Sequence, residues 1–208
     1  MQEKATTQRS LTPLWIMLAI FAAPVIAAWF FYFNPEYLPE GRANRGELIP
    51  STLLLAPDET FLTPGGTPFD GAPLKDKWTL VWLEAGPCGE TCRRHLVDLR
   101  QIRLALGEGQ MNVERLLLLT DPASGGNSAD LARDFPGLLI ALTETFQGER
   151  LLRRLGGLSA QGRLYILDPM GQLMMRYAPD ALAKDPLKDM GRLVKASKNW
   201  IKGTAYEH

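Results

Sequence analysis

Cysteine and histidine are scarce in this chain, with two of each among 208 residues. A closed four-ligand zinc site built from these residue types alone would need all four. Cys88, Cys92, His95 and His208 do not fall in the paired spacings that such sites use. An excess of charge of either sign is also missing, since 23 Lys and Arg balance 23 Asp and Glu. The arginines are scattered through both halves, so the pattern forms no basic face and no nucleic-acid partner is expected. No internal repeat is visible, which excludes solenoids and propellers. What is present is 46% hydrophobic and 22% charged residues, enough for a globular domain with a real core. The length leaves room for one anchor and one domain.

One apolar run stands out. Residues 14–33 (LWIMLAIFAAPVIAAWFFYF) are 20 residues without a charge. At a rise of about 1.5 Å per residue they extend about 30 Å, the thickness of the hydrocarbon core of a bilayer. The run closes on Trp29, Phe30, Phe31, Tyr32 and Phe33, which suit the headgroup belt. Pro24 is tolerated inside a membrane helix. The competing reading is a signal peptide cut near Ala27 or Ala28, but the apolar run continues past that point into the aromatics. An uncleaved anchor in the lipid bilayer is therefore expected. Lys4 and Arg9 before it nearly balance Arg42 and Arg45 after it. The tail before the anchor is short and the domain after it carries the cysteine pair. Both favour an inner-membrane, single-pass protein with its C-terminal domain in the periplasm.

The expected organisation is a cytoplasmic tail (1–13), the anchor (14–33), a linker rich in Pro, Gly and charge (34–57), one domain (58–202) and a short tail (203–208). Within the domain, Phe61-Leu62 and Pro68-Phe69 flank Gly65-Gly66, a hairpin signal. Residues 78–84 (WTLVWLE) and 113–120 (VERLLLLT) read as buried strands, with 91–106 helical between them. A loop over 121–127 precedes a short helix over 128–135, a strand over 138–142 and a helix over 145–155. Residues 163–167 and 173–177 are strands around the turn Asp168-Pro169-Met170-Gly171. Leu187, Met190, Leu193, Val194, Ser197, Trp200 and Ile201 recur at helical spacing and close the chain with an amphipathic helix. This is an α/β plan whose first crossover gives parallel strands, in a sheet covered on both faces.

The chemistry concentrates in Glu84-Ala85-Gly86-Pro87-Cys88-Gly89-Glu90-Thr91-Cys92. A buried strand ends, Gly-Pro breaks it, and a cysteine stands where a helix begins. A helix N-terminus carries partial positive charge and free N–H donors, which favour a thiolate. The thiolate is the species that attacks disulfides and binds soft metals. Cys92 lies one helical turn on, so both sulfurs are expected to converge at an accessible helix tip. They can form a disulfide or chelate one ion such as Cu(I). A fixed disulfide or a pair of core thiols is the plainer alternative, although so small a loop constrains the unfolded chain little.

With the stretches TPFDGAPLKDKWTLVWLEAGPCGETC, RRHLVDLRQIRLALG, VERLLLLTDP and RLYILDPMGQLMMRY, the chain resembles the SCO/SenC family. These are membrane-anchored thioredoxin-like proteins of cytochrome c oxidase assembly. The similarity covers most of residues 58–200, and Cys88 and Cys92 match the family's CxxxC pair. The resemblance implies a thioredoxin-like fold, a central mixed sheet flanked by helices. It further implies a cytochrome oxidase subunit or other copper-site protein as partner, and Cu(I) held by the two cysteines with a histidine. That histidine belongs to a loop which here reads Gly157-Leu158-Ser159-Ala160-Gln161-Gly162, without one, and Gly89 replaces the family's proline. On this basis Cys88 and Cys92 are the expected catalytic residues, with Cys88 attacking and Cys92 resolving, and the expected Cu(I) ligands.

Several neighbours of the pair carry weaker signals. His95 falls on the cysteine side of the helix, in the stripe 88, 92, 95, 99, 102 and 106, and reads as a buried, hydrogen-bonded residue beneath the site rather than a ligand. Met170, Met174 and Met175 are soft donors near the late hairpin, where core filling is the default. Glu84 and Asp121 end their strands at the cysteine side, either solvated or moving protons for a thiol. Glu90 suits the helix start.

Overall fold

The computed structural model describes residues 11–37, 44–54, 61–69, 71–143 and 145–203, and the chain divides into two units, Met1–Ala43 and Asn44–His208. The parts of the expected tails before residue 11 and after 203, and residues 38–43 and 55–60 of the expected linker, lie outside the described residues.

The first unit is built on helix α1 (Thr12–Phe33), whose 22 residues are long and apolar enough to cross a membrane. Pro13 starts it where a missing N–H is harmless. None of its side chains is buried within the protein, as suits a helix whose solvent is lipid. Asn34 ends it by donating both its backbone N–H and its side-chain Nδ2 to the Phe30 carbonyl.

The second unit carries a seven-stranded mixed sheet in the order β1-β7-β6-β3-β4-β5-β2. Its centre is β3 (Trp78–Glu84), β4 (Val113–Leu119) and β5 (Leu139–Thr143), mutually parallel. β6 (Arg163–Leu167) and β7 (Gln172–Arg176) form an antiparallel hairpin beside β3. β1 (Glu47–Leu54) and β2 (Phe61–Leu62) are the antiparallel edges. Phe69 N–H closes the expected hairpin onto the Phe61 carbonyl at 2.7 Å.

Strand β1 lies inside the stretch that reads as linker. It has no compact apolar run and carries Pro50, both of which hide a strand from inspection. An edge strand tolerates both, and its pairing shifts register between Leu48 and Leu53, where Pro50 sits.

Alternation along the central strands sorts the core into two layers. Leu80, Trp82, Leu117, Leu119, Leu142 and Ile166 face helices α2 (Glu90–Ala105), α3 (Ser128–Asp134) and α5 (Lys184–Gly203). Val81, Leu83, Leu116, Leu118 and Tyr165 face α4 (Thr145–Leu155) through Leu151, Leu152 and Leu155. Full burial of a leucine contributes roughly 2 kcal/mol. The apolar character of β3 and β4 on both faces is what their parallel, covered placement requires.

Two contacts set how the second unit begins. The Asp189 carboxylate on α5 accepts the Arg45 and Gly46 backbone N–H groups at 2.7 and 2.9 Å and the Tyr177 hydroxyl at 3.0 Å. Gly46 has to be glycine, because a Cβ there would lie 2.7 Å from the Tyr177 ring.

Candidate functional site

β3 and β4 stop together. The Glu84 carbonyl accepts the Thr120 backbone N–H at 2.9 Å and its hydroxyl at 3.4 Å. Gly86 and Pro87 then take the chain out of the sheet, since proline has no N–H to continue the ladder. Gly89 is the N-cap of α2, extended and without a side-chain cap. Cys88 therefore stands just ahead of the helix and Cys92 within its first turn. The two are joined by a disulfide with their Cα atoms 5.2 Å apart.

The sulfurs converge as their spacing predicts, but they are not accessible. Cys88 is 1% exposed and Cys92 3%. The buried stripe of α2 runs through Cys92, Leu96, Leu99 and Ile102. It turns the first-turn cysteine toward the sheet, and the disulfide draws Cys88 in after it. Pro87, Gly89, Glu90 and Thr91 take the exposed positions instead. The stripe also passes through Leu96 rather than His95, which is left on its flank.

His95 keeps a quarter of its side chain exposed, and its Nδ1 lies 3.6 Å from an Asp98 carboxylate oxygen. Its imidazole stacks on the Trp82 indole, centroids 4.1 Å apart. Trp82 in turn donates its Nε1–H to Glu84 at 3.3 Å, and the other Glu84 oxygen accepts the Ala85 N–H at 3.3 Å. Asp121 accepts the Ala123 N–H at 2.9 Å and caps the 3-10 turn Pro122–Asn127. Glu84, Asp121 and His95 thus have structural partners around the pair. Met174 and Met175 are on β7, two strands away from β3, and Met170 is at the far end of the sheet. β6 runs antiparallel to β3, pairing Leu83 with Arg163 and Thr79 with Leu167, so the turn holding Met170 lies beside the start of β3. Met175 is core.

No sequence pattern singles out Asn127, yet it belongs to the site. Its Nδ2 donates to the Cys88 carbonyl at 3.0 Å. Asn127 occupies the N-cap of α3, a position where asparagine ordinarily caps with its side-chain oxygen, worth about 1 kcal/mol. Here it makes no cap bond, and its Oδ1 is buried without a donor among the described residues. An orphaned buried acceptor costs about 1 to 3 kcal/mol. The Gly-Gly-Asn-Ser sequence signals a helix start, and nothing in it signals that the amide is diverted 39 residues back along the chain.

The donor set does not fit a three-ligand Cu(I) site. The cysteines are joined to each other, and His95 is committed to Trp82 and Asp98. The 157–162 loop does lie at the cysteine end, where Gly162 N–H donates to the Leu83 carbonyl at 2.8 Å, but it carries no histidine, cysteine or methionine. Among the described residues no group of three His, Cys, Asp or Glu is placed to hold a metal.

Comparison with known proteins identifies the fold. A family model described as a transmembrane-like, thioredoxin-like, C-terminal domain matches residues 78–197. Yeast Sco1 with copper bound is similar in structure, at a TM-score of 0.56 and 17% identity over 75% of this chain and 96% of that one. BsSco, a member of the Sco family of cytochrome c oxidase assembly proteins in which a disulfide switch was identified, aligns at a TM-score of 0.54 and 15% identity, over 73% of this chain and 98% of that one. A thiol:disulfide interchange protein from Bacteroides sp. aligns at 0.53 and 17% identity, over 72% and 94%. At these identities the likeness is one of fold, and it bears out the thioredoxin-like plan and the resemblance to Sco proteins at that level. No curated protein matches the sequence.

Proposed function

The chain belongs to the transmembrane-like, thioredoxin-like protein family, and we propose that it is a membrane-anchored thiol–disulfide exchange protein that assists assembly of the cytochrome oxidase copper site. The observation that carries this reading is the Cys88–Cys92 disulfide at the head of α2. There a reduced cysteine gains from the helix N-terminus. Residues 14–33 hold the chain in the inner membrane, with the tail before them in the cytoplasm and the domain, which takes in β1 and reaches back to Asn44, in the periplasm.

In the working direction the Cys88 thiolate attacks one sulfur of a partner's disulfide. A mixed disulfide forms and the partner's other sulfur leaves as thiolate. The Cys92 thiolate then attacks the Cys88 sulfur and releases the partner's second thiolate. Two electrons have passed to the partner's copper-site cysteines, and the Cys88–Cys92 bond is the oxidised product. A dithiol reductant resets it. No step is routed through Cu(I), because the reduced pair offers two thiolates and no third donor stands beside them among the described residues.

The test is trapping. Reduced full-length Cys92→Ser protein, mixed with an oxidised copper-site domain, is expected to accumulate a mixed disulfide through Cys88. Its absence, with Cys88 shown to be free, ends the exchange reading. The burial of both cysteines favours a second reading, a redox-silent docking module with a spectator disulfide. Alkylation of Cys88 across pH separates the two, since an ordinary thiol titrating near 8.5 supports the spectator.

A further inference from the structure

Resting on the exchange reading, a difficulty arises that the structure itself answers. A sulfur that is attacked must be reached by the incoming thiolate, and Cys88 and Cys92 are 1% and 3% exposed. We propose that Asn127 is a positioning residue, a latch whose hydrogen bond to the Cys88 carbonyl holds the 85–89 loop closed over the oxidised pair, and whose release admits the dithiol reductant that resets it.

Three observations converge on this assignment. First, among the described residues the Asn127 amide makes the one hydrogen bond that ties residues 85–89 to anything other than β3 and α2. Secondly, Asn127 gives up the capping role its position offers and leaves its Oδ1 buried and unpartnered. The Oγ of Ser124, on the same turn, is equally orphaned. Local rules broken together beside a reactive pair point to a second state in which those atoms are satisfied, here by water admitted on opening.

The third observation concerns Gly86 and Gly89, which bracket Pro87 and Cys88. A Cβ on either would meet nothing within 4 Å, and neither has a left-handed φ. The closed loop therefore does not require glycine at these places, whereas a loop that swings about two points uses the freedom glycine supplies. Gly125 marks the contrast on the opposite wall, where a Cβ would lie 2.8 Å from Leu142 Cδ2. That wall is packed against the sheet, whereas the two glycines of the cysteine loop border open space.

The experiment uses full-length protein in detergent and the rate of disulfide reduction by excess dithiothreitol. Asn127→Asp keeps the size of the side chain and removes the donor; Asn127→Ala removes both. Each is expected to be reduced about ten-fold faster than wild type. The pair's midpoint potential should rise by the equivalent of a ten-fold change in equilibrium constant, about 30 mV for a two-electron couple. Ser128→Ala, which removes a hydrogen bond to Gly125 in the same turn and makes none to Cys88, is expected at the wild-type rate and potential, which separates a latch from general loosening. Rates within two-fold of wild type in both Asn127 variants overturn the latch and leave exchange standing. Failure of dithiothreitol to reduce any of the folded proteins, when it reduces the same chain in denaturant, overturns the exchange reading.

Discussion

The indole of Trp82 and the imidazole of His95 lie face to face, with centroids 4.1 Å apart and planes 17° from parallel. The contact spans β3 and α2 one helical turn below the disulfide and commits His95 to packing. His95→Phe is expected to keep the stack and change stability by less than about 1 kcal/mol, while His95→Ala loses about 0.5 to 1.5 kcal/mol beyond the area it uncovers. Chemical denaturation of both variants and of Trp82→Phe, in a double-mutant cycle, measures the pair. Cu(I) retention by the reduced protein is expected to be the same in His95→Ala as in wild type. A loss there would identify His95 as a metal ligand and contradict the stacking role.

Reduction of the disulfide should cost little. The cysteines are separated by 4 positions, and the chain-entropy relation for so small a loop assigns about 2 kcal/mol. Scanning calorimetry of the oxidised and reduced protein is expected to show the second unit melting roughly 4 to 8 °C lower when reduced. A reduced form that fails to fold would make the bond a staple and favour the spectator reading.

Stability should fall in alkali for a specific reason. Burial raises the Tyr177 hydroxyl above its ordinary range, with the Asp189 charge and hydrogen bond adding to it, and burial likewise raises Tyr165. In the unfolded chain both phenols ionise near 10. The folded protein keeps its protons, so the stabilisation is whole below about pH 10 and declines as pH rises above it. For each tyrosine the decline approaches about 1.4 kcal/mol per pH unit for as long as the folded phenol stays protonated. Tyr165→Phe and Tyr177→Phe should each flatten the dependence of unfolding free energy on pH above 10. An unchanged slope in both would refute the assignment.

Gly148 sits in α4 where the helix crosses the ends of β4 and β5. A Cβ there would fall 2.5 Å from the Thr143 hydroxyl and against the Thr120 carbonyl. Helix propensity alone predicts that Gly148→Ala stabilises by up to about 1 kcal/mol. The contact predicts instead a loss of about 1 to 3 kcal/mol, because neither strand end can retreat. The sign of the change in urea midpoint decides.

Much was legible in the sequence because it depends on local pattern. The apolar run that becomes α1, the double-sided apolar strands β3 and β4, the stripe of α2 and the Gly-Pro-Cys turn each follow from periodicity or backbone chemistry within about twenty residues. The convergence of Cys88 and Cys92 follows from one helical turn. Other features required the folded chain. β1 is a strand because β7 offers it an edge, which no pattern in residues 47–54 announces. Likewise, His95 is flanked and the sulfurs sealed because the rotation of α2 is set by Leu96, Leu99 and Ile102 against the sheet. The partner of Asn127 lies 39 residues away, and hydrogen bonds across such distances are fixed only when topology brings two strand ends together. Sequence by itself determined which atoms can do redox chemistry, since that is a property of residue type and spacing; tertiary structure decided whether they can be reached, since burial is a property of everything packed around them.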